Sequence, residues 1–126
     1  LDTTKAKTLL AYGPKLEKQK KKSFPAGPEF LALPRSEPCE LLKELGSRDC
    51  NTVLWECGPA LASKALAQGC VQELAVIVAP KILGGVPSKT PVGDLGLTSI
   101  EQALLVENGS FQQIGSDWLI KMTLLQ

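Results

Sequence analysis

Histidine is absent from the 126 residues, and this absence excludes more functions than any other property of the sequence. Without an imidazole the chain cannot form the Ser-His or Cys-His pairs that activate hydrolytic nucleophiles. Zinc sites of the Cys/His and His-rich kinds are excluded for the same reason. The sequence also lacks any run of about 18 apolar residues, so it predicts no membrane-spanning helix and no membrane partner.

The four cysteines do not form the closely spaced pairs that a thiolate metal site needs. Cys39, Cys50, Cys57 and Cys70 are separated by 11, 7 and 13 residues, and no Cys-x-x-Cys pair occurs. A disulfide framework is typical of smaller secreted chains, whereas a chain of this length with 44% hydrophobic residues can bury a core of its own. We therefore interpret the cysteines as reduced thiols and assign no metal site.

The net charge is only +1, but one segment is strongly basic. Residues 15–22 hold five lysines and one glutamate, a local balance of +4, which leaves −3 for the rest of the chain. A lysine run can bind phosphates, but this one contains no arginine and no interleaved aromatic residue. We interpret it as the solvated surface of a helix and predict no nucleic-acid partner.

Strand-like and helix-like segments alternate along the chain. The apolar runs at residues 8–12, 29–33, 52–55 and 73–79 are nearly continuous, as strands covered on both faces are. Proline opens and glycine or proline closes the segments between them, which predicts helices starting at Pro14, Pro38 and Pro59, the last two ending at Gly46 and Gly69. In the third helix Leu61, Ala65 and Leu66 are predicted to face inward, and Ser63, Lys64 and Gln68 outward.

The last third of the sequence differs, because a loop-rich stretch at residues 82–96 precedes two runs separated by Gly115-Ser116-Asp117. In the second run Trp118, Ile120, Met122 and Leu124 share one face, which predicts an antiparallel hairpin. The fold class predicted from these patterns is α/β: a three-layer mixed sheet with helices on both faces and a C-terminal antiparallel hairpin.

Glu56 is the first candidate functional residue. It directly follows a strand predicted to be buried, and the carboxyl ends of such strands line the crevice in which open α/β sheets bind ligands. An ionised carboxylate there accepts hydrogen bonds from N–H donors such as those of an amino-pyrimidine. Position alone supports an alternative equally well, in which Glu56 caps a neighbouring loop or forms a salt bridge with it.

The second candidate is the helix start at Gly58-Pro59. Glycine allows a ligand to approach the backbone, and the N-terminus of a helix offers amides and partial positive charge to a phosphate. Ser63 and Lys64 could assist on the following turn. The pattern is weak by itself, because many strand-to-helix junctions are only turns. Asp94 and Asp117 are the available proton-transfer candidates, but neither has an evident partner, so we assign no catalytic residue.

Three segments in order carry a resemblance: residues 53–61 (Val-Leu-Trp-Glu-Cys-Gly-Pro-Ala-Leu), residues 71–73 (Val-Gln-Glu) and residues 79–85 (Ala-Pro-Lys-Ile-Leu-Gly-Gly). Together they resemble the reductase domain of the bifunctional riboflavin-biosynthesis deaminase/reductase, in the dihydrofolate-reductase-like superfamily. The resemblance implies NADPH-dependent reduction of 5-amino-6-(5-phosphoribosylamino)uracil to the ribitylamino compound, in the cytoplasm or, in a photosynthetic eukaryote, in a plastid.

The resemblance also implies roles for individual residues. Glu56 would contact the pyrimidine substrate. The residues along the cofactor would be Gly58, Pro59, Ala60, Leu61, Ala62, Ser63 and Lys64. The family usually has Glu-Gly-Gly where this chain has Glu56-Cys57-Gly58, so Cys57 adds a side chain at a position of close approach.

The family's upstream strand of the Lys-x-Ala-x-Ser-x-Asp-Gly type and its zinc-dependent deaminase domain are missing from these residues. We therefore expect residues 1–126 to be the C-terminal part of the reductase domain, inactive without the upstream part. Two other functions stay open, a non-catalytic reductase-like module for assembly or regulation and a reductase acting on a pterin or folate. A homodimer formed by pairing of an open sheet edge is a further hypothesis.

Overall fold

The structure of the protein, a computed structural model, describes residues 5–17, 27–84 and 90–125. The chain divides into two compact units, Leu1–Leu54 and Trp55–Gln126. No helix among the described residues is both long enough and apolar enough to cross a membrane. The rest of the basic segment, from residue 18 onward, lies outside the described residues, as does Gly85 of the third motif.

The first unit is built around a parallel pair of strands. Its elements are β1 (Leu9–Tyr12), α1 (Pro14–Glu17), β2 (Glu29–Ala32) and α2 (Pro38–Gly46). The strands pair in register from Leu9 opposite Glu29 to Tyr12 opposite Ala32. Tyr12, Leu31 and Leu33 are buried and form the apolar centre of this unit. The predicted strands at residues 8–12 and 29–33 are thus confirmed, each shorter by one residue.

Two arginines fix α2 through ion pairs at the surface. Arg35 Nη2 donates to Glu40 Oε1 over 2.8 Å, and this hydrogen bond lowers the pKa of the Glu40 carboxyl. Arg48 lies between Glu44 Oε1 at 3.0 Å and Glu29 Oε1 at 2.5 Å, so it links the end of the helix to the start of β2. Because these pairs face water, their contribution to the free energy of folding is small.

Both nine-residue helices end in the same Schellman motif, in which one residue takes a left-handed conformation. In α2 the Cys50 amide donates to Leu45 O (3.1 Å) and the Asp49 amide to Gly46 O (3.1 Å), with Asp49 at φ 63°. In α3 (Pro59–Ala67) the left-handed position is Gly69, also at φ 63°. Gly46 was predicted to end α2, and it is the last helical residue. The residue that takes the left-handed conformation after the helix is Asp49.

Asp49→Gly is therefore expected to stabilise the protein by about 1 kcal/mol, because a side chain in the left-handed region costs roughly that amount. The measurement is the free energy of unfolding from urea denaturation of the purified protein. Gly69→Asp is the matched control, because it places the same side chain at the equivalent position of α3 and should destabilise by a similar amount. Equal stability of Asp49→Gly and the unchanged protein would contradict the prediction.

The second unit contains an antiparallel sheet. Its strands are β3 (Glu73–Val78), β4 (Val106–Ile114) and β5 (Asp117–Leu124), in the spatial order β3-β5-β4, and a short 3-10 turn spans Ile100–Gln102. The predicted hairpin is confirmed, with Gly115 at φ 60° in the turn between β4 and β5. The predicted apolar face of β5 lies opposite apolar residues of β3, with Trp118, Ile120 and Met122 paired to Val78, Val76 and Leu74. The apolar face thus extends across two strands.

One predicted strand is wrong. Residues 52–55 lie in a stretch, 51–58, that has no regular secondary structure, and Leu54 is 81% exposed. An apolar run becomes a strand only when another strand completes its ladder of hydrogen bonds. Among the described residues no strand pairs with this segment. The segment therefore has the composition of a buried strand but no strand to pair with among the described residues.

Candidate functional site

Glu56 stands in the irregular stretch that leads into α3, two residues before Gly58, the N-cap of that helix. Its side chain is exposed, and no hydrogen bond or ion pair joins it to any residue that the structure describes. The alternative in which Glu56 pairs with a neighbouring loop thus finds no support in the described part of the chain. The carboxylate is open to accept N–H donors from a ligand.

The first turn of α3 presents a backbone donor. Gly58 has φ −79° and ψ 173°, and the amides of Leu61 and Ala62 both donate to its carbonyl oxygen, at 3.2 and 3.1 Å. Pro59 occupies the first helical position and has no N–H. The Ala60 amide, one of the donors that a helix start leaves without an intrahelical partner, is unbonded among the described residues. This donor is suited to an anionic ligand.

The seven residues predicted to line a cofactor divide by exposure. Gly58, Pro59, Ala60, Leu61 and Lys64 are exposed, Ala62 is half-buried and Ser63 is buried. The prediction that Ser63 faces outward is thus wrong, and the inward position of Ala65 and Leu66 is confirmed. Leu61, expected inward, is 38% exposed.

Ser63 can be buried because its polar atom is satisfied locally. The hydroxyl donates to Ala60 O over 3.2 Å, the back-bond that serine commonly forms within a helix. A serine with this bond occupies an inward position at little cost.

A loop at residues 90–96 packs against this turn. The Gly93 amide donates to Pro59 O over 3.1 Å, and the loop is shaped by Asp94, whose carboxylate accepts the Gly96 amide at 2.7 Å. Gly96 has φ 70°. Sequence reasoning missed the contact of Gly93 with α3; the only signal for it was the Gly-x-x-Gly spacing at residues 93–96, which also fits an ordinary turn.

The other candidate residues lie in structural roles or on open surface. Asp94 stabilises its own loop, and Asp117 accepts the hydroxyl of Ser116 at 3.1 Å, so neither has a partner suited to proton transfer among the residues that the structure describes. Ile82 and Leu83 of the third motif are fully or almost fully exposed. In the described part of the chain no three Cys, Asp or Glu side chains gather in a group that could hold a metal ion.

The family model described as the RibD C-terminal domain matches residues 1–120, nearly the whole chain. The chain belongs to this family. The riboflavin biosynthesis protein RibD of Synechocystis sp. is 47% identical over 91 residues, which are 72% of this chain and 25% of that protein. The chloroplastic riboflavin biosynthesis protein PYRR of Arabidopsis thaliana is 35% identical over 94 residues, 75% of this chain and 16% of that protein.

Solved structures show the same fold. RibD of Acinetobacter baumannii (form 2) superposes with a TM-score of 0.68 at 21% identity, covering 93% of this chain and 31% of that one. A pyrimidine reductase-like protein of Corynebacterium diphtheriae superposes with a TM-score of 0.68 at 21% identity, covering 94% of this chain and 50% of that one. The predicted family and the dihydrofolate-reductase-like α/β fold are both confirmed.

The chain spans about a quarter or less of the length of the first curated relatives it matches. It spans half of the pyrimidine reductase-like structure. The activity of these longer relatives extends to this chain only as a proposal.

Proposed function

We propose that this chain is the C-terminal part of an NADPH-dependent pyrimidine reductase of riboflavin biosynthesis. The observation that carries the proposal is the open carboxylate of Glu56 beside the exposed first turn of α3, in a chain of the RibD C-terminal domain family. The substrate would be 5-amino-6-(5-phosphoribosylamino)uracil, and the product its ribitylamino counterpart.

Glu56 is the proposed substrate contact. Its carboxylate would accept hydrogen bonds from the amino and ring N–H groups of the pyrimidine, which fixes the base and leaves the ribosyl carbon free to react. The bond to an ionised acceptor is stronger than one between neutral groups, and a positioned base holds C1′ at a set distance from the cofactor. Glu56 would thus orient the substrate without transferring a proton.

The residues of the first turn of α3 fit a dinucleotide phosphate. The Ala60 amide is unbonded among the described residues, Gly58 leaves open space where a side chain would stand, and Lys64 is exposed one turn further on. We propose that Gly58, Pro59, Ala60, Leu61 and Lys64 contact the cofactor, and that Ala62 and Ser63 support the turn from within. NADPH, when bound, supplies the hydride.

The remaining part of the reductase site is proposed to come from the upstream part of the parent protein. Half of the pyrimidine reductase-like structure has no counterpart in this chain, and the unpartnered apolar segment at residues 52–55 is suited to pairing with a strand from that half. The parent protein would act in the cytoplasm, or in a plastid as the plant relatives described as chloroplastic do.

A homodimer is also proposed. Among the described residues, β3 and β4 each pair along one edge only, with β5, and free strand edges are the usual route to pairing between copies. Size-exclusion chromatography of the parent protein over a hundredfold concentration range tests this, and a monomer at every concentration would contradict it.

The activity is tested by expressing the parent protein with its upstream region and following NADPH oxidation in the presence of the deaminated pyrimidine. We expect pyrimidine-dependent oxidation by the parent protein and none by residues 1–126 alone, because the chain lacks the remainder of the site. Parallel reactions with NADH and with dihydropterin or dihydrofolate substrates test cofactor and substrate class. No turnover by the parent protein would overturn the proposal, and micromolar binding of NADPH by the 126 residues alone would contradict the incomplete site.

A further inference from the structure

Gly93 touches the one peptide group of α3 that the proposed cofactor site depends on. Its amide donates to the carbonyl oxygen of Pro59 over 3.1 Å. That oxygen and the N–H of Ala60 belong to the same planar peptide unit and point in opposite directions. A hydrogen bond that fixes the oxygen therefore fixes the direction of the Ala60 N–H as well.

The contact leaves little room for any side chain at residue 93. A Cβ atom built on Gly93 would lie 3.1 Å from Pro59 O and 3.1 Å from Ser63 Oγ. The backbone oxygen can yield only if the peptide of Pro59 rotates, and the hydroxyl is already bonded to Ala60 O. An added methyl group would thus act first on the orientation of the Pro59–Ala60 peptide.

The hydrogen bond also strengthens the donor that it orients. A carbonyl that accepts a bond polarises its peptide unit, so the N–H on the other side becomes a better donor. Ala60 is exposed, and its N–H has no partner among the described residues, so its direction is not set by a bond of its own. The helix already orients the Pro59 carbonyl, and the bond from Gly93 adds a second constraint on the same peptide.

We propose that Gly93 is a positioning residue that aims the Ala60 amide at the cofactor, with Ser63 as the packed side chain that holds the same turn from inside. The inference rests on the proposed cofactor site at α3. Gly93 acts through the Pro59–Ala60 peptide and touches neither substrate nor cofactor.

The test is steady-state kinetics of Gly93→Ala in the parent protein. The KM for NADPH is expected to rise about three- to tenfold, while kcat and the KM for the pyrimidine change less than twofold. A merely structural role would instead lower the melting temperature and the active fraction, hence kcat, and leave the KM for NADPH unchanged. Gly109→Ala is the matched control, because its Cβ would lie an ordinary 3.8 Å from Lys121 O.

Two further variants keep the test decisive. Adding Ser63→Ala to Gly93→Ala removes one of the two close contacts. The double variant is expected to have a KM for NADPH between those of Gly93→Ala and the unchanged enzyme. Asp94→Ala, which loosens the loop without adding a contact, is expected to raise that KM about twofold even if Gly93→Ala does not fold. An unchanged KM for NADPH in whichever of Gly93→Ala and Asp94→Ala folds would overturn the proposal.

The result for Gly58→Val separates this inference from the proposed function. If Gly58→Val raises the KM for NADPH and the Gly93 and Asp94 variants do not, the cofactor site stands and the positioning role of Gly93 is wrong. If none of the three variants changes it, the cofactor site at α3 is wrong and the role of Gly93 is overturned with it.

Discussion

Glu56→Gln in the parent protein is expected to lower kcat/KM for the pyrimidine roughly 10- to 150-fold, the range that corresponds to losing a hydrogen bond to a charged group. The substitution keeps the shape of the side chain but removes the charge and replaces one acceptor oxygen by a donor amide. That amide would face the N–H groups of the substrate, so the loss combines a missing bond with an unfavourable contact. The measurement is NADPH oxidation at varied pyrimidine concentration.

The stability of the protein should not change with this substitution. The Glu56 side chain is exposed and forms no hydrogen bond with any residue in the described ranges, so nothing within them loses a partner. Glu107→Gln, on the exposed strand β4, is the matched control and should leave kcat/KM unchanged. A loss of less than twofold for Glu56→Gln in an active enzyme would rule out Glu56 as the substrate contact.

Features that depend on local chemistry were predictable from the sequence. Pro38 and Pro59 both mark the first turn of a helix, as expected from a residue without an N–H at a position where none is needed. The Gly-Ser turn between alternating runs gave the hairpin, because glycine admits the left-handed conformation that Gly115 adopts. Glu56, by contrast, was singled out because it follows a predicted buried strand, and the described residues do not form that strand, so its role stays a prediction.

Features that depend on distant partners were not predictable. The segment at residues 52–55 has the composition of a strand, but pairing is a property of two segments, and none of the described strands pairs with it. Ser63 was assigned outward because it is polar, whereas the Ala60 carbonyl satisfies its hydroxyl and the glycine loop packs beside it. In a helix of nine residues rich in alanine and leucine, periodicity defines the buried face poorly.

The last prediction concerns Gly58, whose conformation does not require glycine. Its φ of −79° suits any residue, and a Cβ built on it meets nothing within 4 Å. As the N-cap of α3, glycine is favoured over alanine or valine by only about 1 kcal/mol, whereas a cofactor passing close to the backbone would exclude a side chain there. Gly58→Val is expected to raise the KM for NADPH at least tenfold in the parent protein, with the melting temperature within a few degrees of the unchanged enzyme.

The control for Gly58→Val is Gly46→Ala, at another position where an added Cβ meets nothing within 4 Å. That variant should change neither the KM for NADPH nor kcat, because α2 belongs to the other compact unit and has no proposed ligand. The KM for NADPH of Gly58→Ala should lie between the values for Gly58→Val and Gly46→Ala. A methyl group at position 58 obstructs a cofactor close to the backbone less than an isopropyl group does. A KM for NADPH that is unaffected by Val at position 58 would mean that the cofactor does not pass this turn. The open conformation of Gly58 thus allows a test of binding that stays separate from a test of folding.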